Sequence, residues 1–147
     1  MSRLEVEGLD GLIDDFEALA ALPEEIIADM LNAEADVVEE AQKAEIKLLG
    51  LVDTGQLVES IRRTGKVVAV RGEKTLHVYP QGVRLDGKRN AEIGFIHEYG
   101  APHNKAANWK KGIRPSKWMK NANEKCGTEA VERAAEVYDT YLKSKNL

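Results

Sequence analysis

The sequence predicts an α+β fold, with a small antiparallel sheet of three or four strands packed against long N-terminal and C-terminal helices. Three observations predict it. Pro23–Leu49 and Ser116–Leu142 carry apolar residues at three- and four-residue steps. The stretch between them carries short β-branched and alternating runs. Strands grouped apart from helices along a chain mean α+β rather than a wound parallel sheet. At 147 residues, one domain with a real core is expected. It reads as helical over 1–61, sheet over 62–100, a basic loop over 101–115 and a terminal helix over 116–142.

Leu9–Leu22 reads as a first short helix, with Leu9, Leu12, Ile13, Phe16, Leu19 and Ala20 as its apolar stripe. The long helix follows. Pro23 suits a first helical turn, and Glu24 and Glu25 complement the dipole there. Its stripe is Ile27, Met30, Leu31, Glu34, Val37, Val38, Ala41 and Leu48, with Glu34 the one polar interruption, and Gly50 is placed to end it. A short third helix is expected after Asp53-Thr54-Gly55, because Leu57, Val58 and Ile61 share a helical face. Asp53 or Thr54 would accept backbone N–H bonds at its start.

Strand signals begin after Ile61. Lys66–Val70 and the alternating Thr75–Tyr79 flank the turn Gly72-Glu73 and predict a hairpin, with Pro80 at its terminus. Arg84–Asn90 is a polar, basic loop. Ala91–Tyr99 reads as a third strand, with Ile93, Phe95, His97 and Tyr99 on one face. Gly100–Pro115 has no periodicity, and a loop this long in a compact domain is usually functional. Ser116 is expected to cap the last helix, whose inner stripe is Met119, Ala122, Cys126, Ala130, Ala134, Val137 and Tyr141.

Composition narrows the function classes. No apolar run reaches membrane-spanning length, so no membrane partner is expected. The start, MSRLEVEGLDG, lacks a signal-peptide stretch. Cys126 is the lone cysteine, so neither an intrachain disulfide nor a cysteine metal cluster is expected, and synthesis in a reducing cytoplasm is. The net charge of -4 hides a strong segregation. Residues 1–59 hold 3 basic against 16 acidic side chains, a balance of -13; residues 60–120 hold 14 against 4, or +10; residues 121–147 hold 4 against 5, or -1. Such a chain can neutralise itself internally, stack head to tail with its own copies, or set its basic part near phosphate.

Asp53-Thr54-Gly55 is what an aspartic protease carries at its catalytic carboxylate, but that enzyme needs the tripeptide on a loop between strands, where two copies share a proton. Here helical patterns flank it. A dimeric aspartic protease using Asp53 is therefore the rival reading, testable with a pepstatin-type inhibitor. His97-Glu98 resembles the start of a zinc-peptidase motif, yet the position four residues after His97 is Ala101, and His103 lies beyond Gly100 and Pro102. No phosphate-binding glycine loop or Gly-x-Ser-x-Gly elbow occurs. Neither an enzyme nor a cofactor is expected. The basic middle could make weak, non-specific contact with DNA, which leaves a basic-loop nucleic-acid-binding module as a second rival.

Four phrases, in order along the chain, carry a resemblance. They are Leu4–Leu12, Asp53-Thr54-Gly55-Gln56-Leu57-Val58-Glu59-Ser60-Ile61, Ile96-His97-Glu98-Tyr99-Gly100, and Arg114-Pro115 followed by Trp118-Met119. On these the chain resembles the HK ninety-seven gene-product-ten-like family of tailed bacteriophages, small neck or tail-completion proteins at the head–tail junction. It departs from the family where Ser116 and Lys117 separate Arg-Pro from the aromatic residue, and in the long basic loop before them. The resemblance implies a structural virion part, made in the bacterial cytoplasm and located in the neck. It would form a ring, of six by the resemblance, between a connector or head-completion protein and a tail terminator or tail-tube protein. Arg84, Lys88, Arg89, Lys105, Lys110, Lys111 and Arg114 are expected at subunit contacts or towards the DNA channel, with Trp109 as anchor of a loop that orders on assembly. Asp53, Thr54, Gly55, His97, Glu98, Tyr99 and Gly100 are expected to be structural.

Overall fold

The computed structural model describes residues 22–51, 55–102 and 112–146. The expected helix at Leu9–Leu22 falls, but for Leu22, outside them. The order is α1 (Glu24–Leu48), α2 (Gln56–Ser60), β1 (Ile61–Arg63), β2 (Val68–Val70), β3 (Glu73–Thr75), β4 (Val78–Pro80), α3 (Asn90–Tyr99) and α4 (Trp118–Ser144). The class is α+β, with the strands, which lie between the long helices in the sequence, in two small antiparallel sheets.

The long helix forms as the periodicity predicts, with Pro23 at its N-cap. Its end is built by Gly50, whose φ of 68° few side-chain-bearing residues tolerate. The Gly50 amide donates to the Lys47 carbonyl, and the Leu51 amide to the Ile46 carbonyl. That pair of bonds closes the helix, and Ile46 and Leu51 meet in the same apolar cluster beneath it. Leu48, expected in the buried stripe, is instead 72% exposed, because the helix turns its 46 position, not its 48 position, to the core. Glu34 is half-buried, and desolvation raises its carboxyl above the usual range.

α1 and α4 lie antiparallel. Glu45 near the end of α1 accepts from Lys125 near the start of α4 at 2.7 Å, and Gln42 donates to Asn123 at 3.2 Å. Ala122, Cys126, Ala130 and Ala134 form the buried stripe of α4, small enough to let the helices approach closely. Val37, Cys126 and Ala130 make one core cluster. Ile46, Leu57, Val58, Ile61 and Trp118 make the other.

Three further expectations need correction. Ala91–Tyr99 is not a strand but most of α3. Its buried positions are Asn90, Gly94 and Glu98, at helical four-residue spacing, while Phe95 and Tyr99 stack outside with ring centroids 4.6 Å apart. The apparent alternation came from apolar residues that the helix leaves half-buried or exposed. Nor is Thr75–Tyr79 one strand. The chain breaks at Leu76-His77, so β3 closes the hairpin with β2 while β4 pairs with β1, in the register Ile61↔Pro80 to Arg63↔Val78. The sheet is therefore two two-stranded pieces. The hairpin turn is Arg71-Gly72, both at positive φ, as a two-residue turn of this kind requires. Finally, Ser116 does not cap α4. Its hydroxyl donates to the His97 carbonyl at 2.6 Å, and Lys117 holds the N-cap position without a side-chain bond.

Part of the charge segregation is neutralised internally, helix against strand. Arg63 on β1 reaches α1, donating from Nε to Glu39 at 2.9 Å and from Nη1 to the Asn32 carbonyl at 3.0 Å, with Asp36 on the remaining nitrogen. The backbone amide of Arg63 also donates to Glu39, at 2.7 Å. Hydrogen bonds to Glu39 first, then Asp36, hold the guanidinium pKa above its ordinary value. Lys74 at the hairpin pairs with Glu24 at 3.0 Å, a contact exposed enough to add little.

Candidate functional site

Three of the four phrases singled out in the sequence meet at one junction. Trp118, fully buried, is its centre. The indole N–H donates to the Gly94 carbonyl at 2.9 Å, which ties α4 to α3. Gly94 is required by that closeness. A Cβ there would stand 3.0 Å from Pro80, 3.2 Å from Trp118 and 3.7 Å from Leu57. Leu57, from the second phrase, packs into the same cluster.

The third phrase supplies the polar half. Glu98 is buried, and its carboxylate accepts from the backbone amides of Met119 at 2.7 Å and Lys120 at 3.3 Å. It thus caps α4 from another helix, placing negative charge on the positive end of the dipole. Gly100 follows with φ 77° and ψ 177°, and Ala101 exchanges both backbone bonds with Ile113. The residues after Ile113 then lie against the end of α3. His97, Glu98 and Gly100 accordingly hold the entry to α4, while Tyr99 stays exposed.

His97 is half-buried on α3, and desolvation lowers its imidazole pKa below the ordinary 6.5. The folded state favours the neutral ring. Its contribution to stability is complete above pH 6.5 and is lost as pH falls through the lower folded value. Replacing His97 with Gln is expected to flatten the fall in melting temperature on the acid side of that point. An unchanged acid slope would show that other groups carry it.

Gly55, at φ 80°, occupies the N-cap of α2. A glycine takes that left-handed conformation without strain and has no side chain to bond. Asp53 and Thr54 lie outside the described residues, but the chain after them enters a helix, not a strand. Of the basic candidates, Lys105, Lys110 and Lys111 lie outside the described residues, as does Trp109. Lys88, Arg89 and Arg114 are exposed. Arg84 is half-buried, its Nε 3.8 Å from Asp86 and without a hydrogen bond.

Sequence reasoning missed Glu98 as a cap, because its partners lie 21 and 22 residues further on. It also missed Leu85, at 98% the most exposed large apolar side chain among the described residues. A leucine amid Arg84, Asp86, Lys88 and Arg89 was the available signal. Among the described residues, no three His, Cys, Asp or Glu side chains are grouped to hold a metal ion, and no helix is long and apolar enough to cross a membrane. No protein-family model, curated protein or solved structure matches the chain.

Proposed function

We propose that this chain is a structural, non-enzymatic virion protein of a tailed phage or prophage, working as a ring at the head–tail junction. The observation that carries the reading is the junction around Trp118. Three phrases on which the family resemblance rests are brought together there as one folding unit, Leu57 against Trp118 and Glu98 against Met119, rather than scattered. Among the described residues their contacts are packing, capping and tight turns. The unequal distribution of charge supports it as well. A closed ring uses two different patches per subunit, and a chain with an acidic first half and a basic middle has the means to make them.

The ring would have six copies on the family resemblance, with a connector or head-completion protein on one side and a tail terminator or tail-tube protein on the other. Basic side chains at the inner edge would face packaged DNA without reading its sequence. The test is a phage carrying Lys110→Glu with Lys111→Glu. Filled heads and finished tails are expected to accumulate unjoined, while the purified variant melts as the wild type does. Normal joining and infectivity would remove the basic loop from the mechanism.

A further inference from the structure

We propose that the tip of the loop between β4 and α3 is a plug, and that its socket is the groove between the two long helices of a second copy of this chain. The inference deepens the ring reading above and rests on it for the closed geometry, whereas the contact itself belongs to the purified chain.

The plug is a built structure. Val83 and Arg89 pair across its base, the Arg84 amide donates to the Lys88 carbonyl at 2.7 Å, and the Gly87 amide donates to the Arg84 carbonyl at 3.0 Å. Asp86 accepts from the Lys88 amide at 3.1 Å. These bonds hold the turn closed and leave Leu85 98% exposed at its tip. A leucine so presented on a closed turn is dissolved at a cost that burial against a partner would relieve. Lys88 and Arg89 stand exposed beside it.

The socket has complementary character. The groove has a volume of about 580 Å3. Ile26 of α1 and Val137 and Tyr141 of α4 give it apolar walls. Its charged lining residues are both carboxylates, Asp29 and Glu136. Lys145, 6.0 Å from the Tyr141 ring centre, lies beside the socket. An apolar tip with a basic stem thus meets an apolar floor with an acidic rim.

The two cannot meet within one molecule. The plug precedes α3, which is fixed to Trp118 at the start of α4. The socket is lined by residues 136 to 144 at the other end of α4, about 30 Å away at 1.5 Å per residue. A plug on the Trp118 side of the fold and a socket beside the far end of α4 make a head-to-tail contact, the kind that closes into rings or runs into filaments.

Sedimentation velocity on the full chain tests this. Wild type is expected to associate as concentration rises to the millimolar range, less so at high salt. Leu85→Asp, at a fully exposed position, should weaken association by roughly thirtyfold or more. Asp29→Lys with Glu136→Lys should do the same from the socket side. An equimolar mixture of the plug variant and the socket variant should form dimers that grow no further, since each pair then holds one intact plug in one intact socket. The proposal is overturned if wild type stays monomeric, if either variant still assembles alone, or if the mixture stays monomeric. It is also overturned if the socket variant lowers the melting temperature of the dilute monomer while Leu85→Asp changes nothing, which would assign the groove to residues 1–21 of the same chain. Loss of binding to a short DNA duplex by Leu85→Asp with association intact would overturn it too. A failed joining experiment in the phage would leave this contact standing, and a monomeric wild type would leave the joining experiment untouched.

Discussion

Trp118→Ala is expected to destabilise the protein by about 3–5 kcal/mol, a large fraction of what a domain of this size possesses. The indole fills the centre of the cluster formed with Ile46, Leu57, Val58 and Ile61, drawn from three elements. Deleting it opens a cavity that α1, α2 and α4 cannot all collapse into. It also removes the indole N–H bond to the Gly94 carbonyl. Trp118→Phe separates the two effects. It keeps most of the volume and loses the N–H, so its cost should fall to about 1–3 kcal/mol. Urea unfolding of the three proteins measures this. A loss under about 1 kcal/mol for the alanine variant would mean that the junction is not the core.

Gly100→Ala should be the most damaging single-methyl change in the described chain, costing about 3 kcal/mol or more. Its φ of 77° with ψ of 177° belongs to a region that only glycine enters freely. A Cβ there would stand 2.5 Å from the Ile113 carbonyl oxygen and 2.9 Å from the Pro115 nitrogen, both backbone atoms that cannot swing aside. Gly127→Ala is the matched control. Gly127 lies inside α4, its Cβ would meet nothing within 4 Å, and alanine favours helix, so that change should stabilise by about 1 kcal/mol. Opposite signs at the two positions are the expected result. A neutral Gly100→Ala would show that the turn into the Ala101–Ile113 bridge is looser than described.

The two long helices were legible because their apolar positions repeat at the helical period over more than twenty residues each, and no local feature competes. The hairpin was legible from its glycine, although its turn is Arg71-Gly72 and Glu73 already belongs to β3. α3 was not, because the residues that decide it are small or polar. Asn90 bonds the Gln81 carbonyl, Gly94 admits Trp118, and Glu98 binds amides on another helix. None of those partners is near in sequence, so nothing local marks the positions as buried. The split of Thr75–Tyr79 escaped for a related reason: β4 belongs to β1, which looked like the end of a helix. The exposed basic residues could be named from composition. The acidic-rimmed groove could not, since it exists only when Ile26 and Val137, over a hundred positions apart, are brought together by the antiparallel helices.

The carboxylate of Glu98 has a kinetic meaning. The first turn of α4 carries no cap of its own, and a helix start without one is a poor nucleus. Its acceptors arrive only after α3 has formed and docked. The helix is therefore expected to grow from its middle, where Cys126, Ala130 and Ala134 meet α1, and to complete its Trp118 end last. In the native protein the order runs in reverse. The Lys145 end is expected to fray alone, turn by turn, and the amides of Met119 and Lys120, bonded to Glu98, to be released only when the α3–α4 junction opens as one cooperative unit.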